Sequence, residues 1–386
     1  MHPFEPQLGY SEYYLAKKLQ GMGHEVCVIT SDVFETASNI RCKRSGFFEE
    51  EGIKTLRLFT FFKIFDIPFV SLNNFKTYLT KFSPDIVQIQ GIMSPLSILA
   101  IFYKGIFRYR VVATIISGEA TSHGFILALK LAFLRIYLNL LFPWASKNID
   151  GAFVCSEAAL AWNRKIFHVP STKIHFIPFG ADSDLFRYNS DERKKIRKIL
   201  NIDDDDVVAI YTGKMVPHKK VDLLLRASIP LIHNRKDFKL LLVGKGLTEY
   251  VNLLKSIVKA SNIERNVIFH DAVHRTKLPS FYSASDIAVW PGSCSISIIE
   301  AMSMGLPVII KESKWTNHLL ESGNGFSYKE GDIEALRKCI SRLIEDGKLR
   351  HSMGRKSRRL VEDKLNWDNI AKQYIRIYQS CLESCA

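Results

Sequence analysis

Hydrophobic positions along this chain come in short runs, separated by longer stretches in which apolar residues recur every three or four positions. The runs read as strands. In the first half they are VCVIT (Val26–Thr30), IKTLRLF (Ile53–Phe59), DIVQIQ (Asp85–Gln90), VVATII (Val111–Ile116), AFVCS (Ala152–Ser156) and IHFIP (Ile174–Pro178). The second half continues with VVAIYTG (Val207–Gly213), KLLLVG (Lys239–Gly244), NVIFH (Asn266–His270), IAVW (Ile287–Trp290) and PVII (Pro307–Ile310). Stretches such as YSEYYLAKKLQGMG and LTEYVNLLKSIVKASN carry the helical period between them. Strand and helix alternating at this spacing predict an α/β chain of parallel sheets covered by helices.

The alternation pauses near residue 185. FIPFGADSDLF ends the first series, and the charged NSDERKKIRKILNIDDDD leads into the second. Asp203–Asp206 reads as a solvated turn, because isolated acidic runs usually are. Polar helices follow from Ile333 to the end. Two doubly wound domains are therefore predicted. Ligands of such sheets bind at the C-terminal ends of the strands, in this case at a shared central cleft.

Two segments at predicted strand ends carry candidate chemistry. In WPGSCSISIIEAMSMGLPVII (Trp290–Ile310), small residues precede a helix that holds Glu300. Small residues let backbone approach a ligand closely. N–H groups of Ser295 and Ile296 at the helix start would suit an anion, and an ionised Glu300 could accept both hydroxyls of a ribose. Taken alone, this segment reads better as an ordinary helix with an early Glu favoured by its dipole. In YTGKMVPHKKVDLLLRA (Tyr211–Ala227), Gly213 ends a strand and Lys214 and Lys219 occupy the loop before a helix, a pattern suited to a diphosphate. A solvated basic loop is the alternative. LLVGKG supplies a second strand-to-glycine turn at Gly244.

Composition narrows the picture a little. The chain has 386 residues, 47% hydrophobic and 24% charged, enough for two ordinary domains with real cores. Its net charge of +14 favours anionic partners without choosing among phosphate ligands, anionic lipid and nucleic acid. Seven dispersed cysteines, with no metal-ligand spacing, fit free thiols in a reducing cytoplasm. Met1–Tyr10 is polar and does not read as a signal peptide. FILALKLAFLRIYLNLLF (Phe125–Phe142) is broken by Lys130, Arg135 and Asn139, so it reads as an amphipathic helix, packed on its own domain or lying on a membrane surface, rather than a span.

The order of these segments resembles the family-four glycosyltransferases, over nearly the whole chain. PQLGYSEYYLAKKLQGMGHEVCVIT looks like that family's glycine-loop, helix and GHEV opening. FIPFGADSDLF is similar to its hinge, TGKMVPHKKVDLLLRA to its phosphate segment, and IIEAMSMGLPVII to its LEAMA.G.PVI signature. The resemblance implies a GT-B fold. Residues 1–184 would form an acceptor-binding Rossmann-like domain and 185–364 a nucleotide-sugar-binding one, with a helix at 365–386 packing back on the first. The family pattern also begins with a strand ahead of HPFEPQLGY, which lies outside this chain.

By the same resemblance, Lys214 and Lys219 hold the leaving diphosphate and Glu300 binds the nucleotide ribose. Gly9 and Tyr10 lie under the phosphates. Gly213, Gly244, Ser293, Ser295 and Ile296, singled out by their places at strand ends and the helix start, are further candidates for lining the donor. A retaining transfer to a hydroxyl acceptor is implied, with a nucleotide-diphosphate sugar as donor substrate and no cofactor or metal required. Three positions depart from the pattern. Gly292 stands where the first acid of E-x7-E contacts the donor sugar, Ser117 where a His is frequent, with His123 nearby, and Lys220 where a glycine follows the Lys. These departures keep a second class open, a non-catalytic nucleotide-sugar-binding subunit or pseudoenzyme. A nucleic-acid binder has no motif to support it. Phe59–Val70 and Phe125–Trp144 mix aromatics with cations. From them the expectation is a cytoplasmic enzyme, peripheral on an anionic membrane face, acting on a lipid-linked or cell-surface glycan.

Overall fold

A computed structural model describes residues 11–32, 45–64, 67–71, 73–92, 94–115 and 141–383. The chain divides into two compact units, Met1–Pro178 with Ile370–Ala386, and Phe179–Asn369.

The first unit holds strands β1 (Cys27–Ser31), β2 (Gly46–Glu50) and β3 (Ile53–Leu58) in one sheet of order β1-β3-β2. β4 (Thr60–Ile64) and β5 (Ile67–Val70) form a sheet of their own. β6 (Ile86–Gln90), β7 (Arg110–Ile115), β8 (Gly151–Val154) and β9 (Ile174–Phe176) lie parallel in that order. Its helices are α1 (Ser11–Gly21), α2 (Asn73–Phe82), α3 (Pro95–Phe107), α4 (Phe142–Asn148) and α5 (Glu157–Trp162). The expectation of purely parallel pairing fails twice. β2 pairs antiparallel with β3 because Glu51 and Gly52 both take positive φ, 48° and 82°, as a two-residue hairpin turn requires. β4 and β5 are likewise antiparallel, so Phe59–Val70, read above as an apolar-basic segment, contains a hairpin. The parallel sheet supplies the core. Val111, Ala113 and Ile115 of β7 are fully buried with Ile89, Tyr109 and Phe167. Start signals work locally: Ser94 accepts from the Ser97 amide at 3.0 Å and Pro95 takes the first helical position of α3.

The second unit contains α6 (Ser190–Ile199), β10 (Val207–Thr212), α7 (Val221–Asn234), β11 (Phe238–Val243), α8 (Thr248–Ala260) and β12 (Val267–His270). α9 (Leu278–Ser283), β13 (Ile287–Trp290), α10 (Ser297–Ser303), β14 (Val308–Lys311), β15 (Gly325–Tyr328), α11 (Ile333–Glu345) and α12 (Gly347–Leu360) follow. Its six strands run parallel in the order β12-β11-β10-β13-β14-β15. β10 and β13 are almost wholly apolar runs, as is β11 after Lys239, because helices cover both faces. The strand order reverses between β10 and β13. Such a reversal opens a crevice beyond the strands' carboxyl ends, where ligands of open parallel sheets bind.

The last helix, α13 (Trp367–Glu383), begins in the second unit and continues into the first. There the Tyr374 ring lies 4.2 Å from that of Phe153 in β8, and the Tyr378 hydroxyl donates to the side-chain oxygen of Gln88 in β6.

Candidate active site

The loops after β10, β11 and β13 interlock beyond the strand ends of the second unit. Gly213, at φ 144°, leaves β10, and its amide donates to the Val243 carbonyl at 3.0 Å. Gly244 leaves β11 at φ 155°, and a Cβ there would stand 1.9 Å from the Gly213 carbonyl oxygen. Met215 then donates to the Lys245 carbonyl at 2.9 Å and accepts from Leu247 at 3.2 Å. Only glycine permits this approach at 244, and at 213 the positive φ favours glycine.

The β13 loop closes against the β10 loop in the same manner. A Cβ on Gly292 would meet the His218 carbonyl oxygen and the Lys219 carbonyl carbon at 2.5 Å each. The Ser293 amide approaches the His218 carbonyl at 3.4 Å. The Lys219 ammonium donates to the carbonyls of Ser293 at 3.2 Å and Cys294 at 3.0 Å. Burial lowers the Lys219 pKa, and the positive charge of Lys214 pushes the same way against Cys294. Lys214 itself is exposed on the loop, while its carbonyl accepts from the Tyr211 hydroxyl at 2.9 Å. Lys220 takes the left-handed conformation, φ 54° and ψ 37°. This is the backbone reason a glycine suits that position.

α10 opens at Ser297, later than expected. Ser295 and Ile296 contribute carbonyls to its first turn, accepting from Ile298 at 3.2 Å and Ile299 at 2.9 Å. Ile296 already has helical angles, so it sits inside the turn rather than ahead of it. Glu300 consequently lies in the first turn, with its amide on Ile296 at 3.2 Å.

Glu300 is 4% exposed, not open as a rim residue would be. Its Oε1 is ion-paired with the guanidinium of Arg275, from the short turn before α9, and Ser297 adds a side-chain hydrogen bond. Burial raises the Glu300 pKa, while Arg275 and Ser297 pull it back. Arg275 lies 5.4 Å over the Phe186 ring. Nearby, the Tyr282 hydroxyl meets Thr212 Oγ1 at 2.7 Å, and the Trp290 indole donates to the Thr212 carbonyl at 3.0 Å. These bonds tie β10, α9 and β13 together beneath the loops.

Sequence reasoning missed Arg275, Phe186 and Tyr282. Their one signal is position: Arg275 lies in the polar HRTK run before Leu278-Pro279, where a basic chain shows many similar cations. Gly9, Tyr10, Ser117, His123 and most of Phe125–Phe142 lie outside the described residues.

Residues 10–185 match the family model described as Glycosyltransferase Family 4, and residues 192–360 match Glycosyl transferases group 1. The chain belongs to the family-four glycosyltransferases. This chain is 25% identical over 209 residues to a GDP-mannose-dependent alpha-(1-6)-phosphatidylinositol monomannoside mannosyltransferase of Mycolicibacterium smegmatis, covering 51% of this chain and 54% of the relative. It is 26% identical over 220 residues to a lipopolysaccharide 1,2-N-acetylglucosaminetransferase of Salmonella typhimurium, covering 53% and 56%. The matches thus span about half the length of these curated relatives. Among solved structures, Anabaena HepE in complex with UDP superposes with a TM-score of 0.76 at 18% identity, over 98% of each chain. The fold is therefore of the GT-B kind, with two Rossmann-like α/β domains.

Proposed function

We propose that this chain is a retaining glycosyltransferase that moves a sugar from a nucleotide-diphosphate donor to a hydroxyl acceptor. One observation carries the reading: at the switch point of the second unit's sheet, the interlocked β10 and β13 loops bring Lys219 against Ser293 and Cys294, one turn ahead of the buried Glu300. That rim suits a diphosphate and a ribose. Glu300 accepts the ribose hydroxyls, and Lys214 and Lys219 take up negative charge as the bond from the sugar's anomeric carbon to the β-phosphate oxygen breaks. The acceptor oxygen bonds to the same carbon, and its proton passes to an oxygen of the departing phosphate. No side-chain base is needed for that balance.

Measuring which nucleoside diphosphate raises the melting temperature tests the donor reading, since a ligand that binds only the folded state stabilises it by mass action. UDP and GDP are the first pair to try, given the UDP complex of HepE and the GDP-mannose named for the mannosyltransferase. Binding without release of nucleotide from any nucleotide-sugar would favour the non-catalytic reading. Lys214→Ala and Lys219→Ala should lower kcat more than they raise KM, because charge on the leaving group is largest in the transition state. A rise in KM alone would make both lysines ground-state anchors.

The acceptor we read as a lipid-linked or cell-surface glycan, met at an anionic cytoplasmic membrane face. Supporting it, the first unit exposes Phe59, Phe61, Phe102, Ile106, Leu141 and Trp144, with Phe61 at 60% and Phe102 at 58%. Among the described residues, no helix is long and apolar enough to cross a membrane. The two curated relatives act, by their names, on a phosphatidylinositol mannoside and on lipopolysaccharide. Flotation with anionic liposomes should therefore occur at low salt and fade at high salt, with about 1 kcal/mol for each Lys or Arg near the surface. A protein that stays in the soluble fraction in both, and glycosylates a free acceptor equally fast, would remove the membrane from this reading.

A further inference from the structure

Among the described residues, Arg275 is the cation paired with the buried Glu300, and it comes from a different part of the chain. Arg275 stands in the turn between β12 and α9, and its guanidinium pairs with Glu300 Oε1. Its side chain is only 12% exposed and rests on the ring of Phe186, which is itself fully buried in the segment before α6. Arg275 is thus held from two sides, by packing on one face and by charge at its end. We propose that Arg275 is a positioning residue for nucleotide binding: it keeps the Glu300 carboxylate ionised and turned so that its remaining acceptor capacity is available to the ribose. The proposal rests on the ribose role given to Glu300 above.

The chemistry follows from burial. An ionised carboxylate accepts hydrogen bonds at both oxygens, whereas a protonated one presents a donor that competes with a ribose hydroxyl. Few other groups act on the Glu300 charge. From α9, the Tyr282 hydroxyl is occupied by Thr212 and Ser297, and burial and Glu300 keep it protonated. From its own helix, Ser297 supplies a hydrogen bond but no charge. On α12, which packs against α10, the Arg358 guanidinium is committed to the carbonyls of Ser183, Phe186 and Ser303. Arg275 is therefore the cation that offsets the burial of Glu300. Without it, the carboxyl would hold its proton to a higher pH.

The test is UDP and GDP affinity measured by calorimetry across the acidic to neutral range, with thermal unfolding of each variant alongside. The better-binding nucleotide is used for the wild type, Arg275→Gln, Arg275→Lys and Glu300→Gln. The phosphates titrate identically in every sample, so differences between variants report on the protein. Arg275→Gln should lose affinity as pH falls, with its acid limb displaced upward by about one pH unit and affinity on that limb about tenfold below wild type, recovering toward alkaline pH. Arg275→Lys, which keeps the charge, should return the limb close to its wild-type position. Glu300→Gln should bind weakly without that limb. If Glu300→Gln loses affinity but both Arg275 variants keep the wild-type limb, the proposal is overturned while the ribose role of Glu300 stands. Wild-type affinity in Glu300→Gln would overturn both. Should Arg275→Gln fail to fold, Arg275→Lys decides: a limb displaced as far as about one unit would rule out the charge as the working feature.

Discussion

Glutamate introduced at position 292 is expected to disable the nucleotide site, although the family pattern places an acid there. The reason is steric and begins at the first side-chain atom. A Cβ on Gly292 would lie 2.5 Å from the His218 carbonyl oxygen and 2.6 Å from the Lys219 carbonyl oxygen. Both neighbours are backbone and cannot rotate away. Admitting any side chain pushes the β10 loop outward, which strips Lys219 from the carbonyls of Ser293 and Cys294. Overpacking of this kind costs about 1–3 kcal/mol. Gly292→Ala should already lower the melting temperature, and Gly292→Glu should in addition lower nucleoside-diphosphate affinity by about tenfold or more. A Gly292→Glu protein with unchanged melting temperature and equal or tighter binding would show that the loops can part freely.

Glu300→Gln should weaken nucleotide-sugar binding by roughly 1.5–3 kcal/mol, the range for a hydrogen bond to a charged group. The fold should survive, and the direction of the pKa shift says why. Burial outweighs Arg275, so the folded-state pKa of Glu300 lies above its unfolded value. An acid shifted upward binds its proton more tightly when folded. Its ionisation therefore adds nothing to stability; it subtracts from it as pH rises from the unfolded pKa through the folded one. Glutamine is spared that loss, and its amide oxygen still accepts from Arg275. Calorimetric binding with thermal unfolding on the same samples separates the two effects. Unchanged affinity and turnover would take Glu300 out of the site, and collapse of the fold would make it a structural ion pair.

The sequence made the second unit far more legible than the first. β10, β11 and β13 are buried almost throughout, so their runs are strongly apolar and their boundaries fall within a residue or so of expectation. β2 and β4 escaped because GFFEE and TFFKI are short and show no alternation of apolar and polar residues, and β15 because GFSY mixes small and polar residues. Lys214, Lys219 and Glu300 were visible because they follow strand ends in order. What stayed hidden were relations across the chain. Gly292 looked like a lost acid until the β10 loop was seen packed against it. Glu300 reads as an acceptor for a ribose, with no sign that Arg275, 25 positions earlier, pairs with it. Such pairings arise from which strands lie adjacent in the sheet, and no local periodicity encodes that.

The path of α13 sets an order of events during synthesis. The chain leaves the first unit at Pro178, builds the whole second unit, and returns only at Ile370. Until α13 emerges, Phe153 lacks the covering ring of Tyr374, and Gln88 lacks its bond to Tyr378. Domains usually complete in the order in which they are translated. Here the half begun first is completed after the other, because its closing helix is translated after the whole of the second unit. The second unit, whose sheet lies wholly within one stretch of chain, can close meanwhile. Throughout that interval the first unit carries the Phe153 ring uncovered on its sheet, and that is the period in which a nascent chain of this design most needs protection from aggregation.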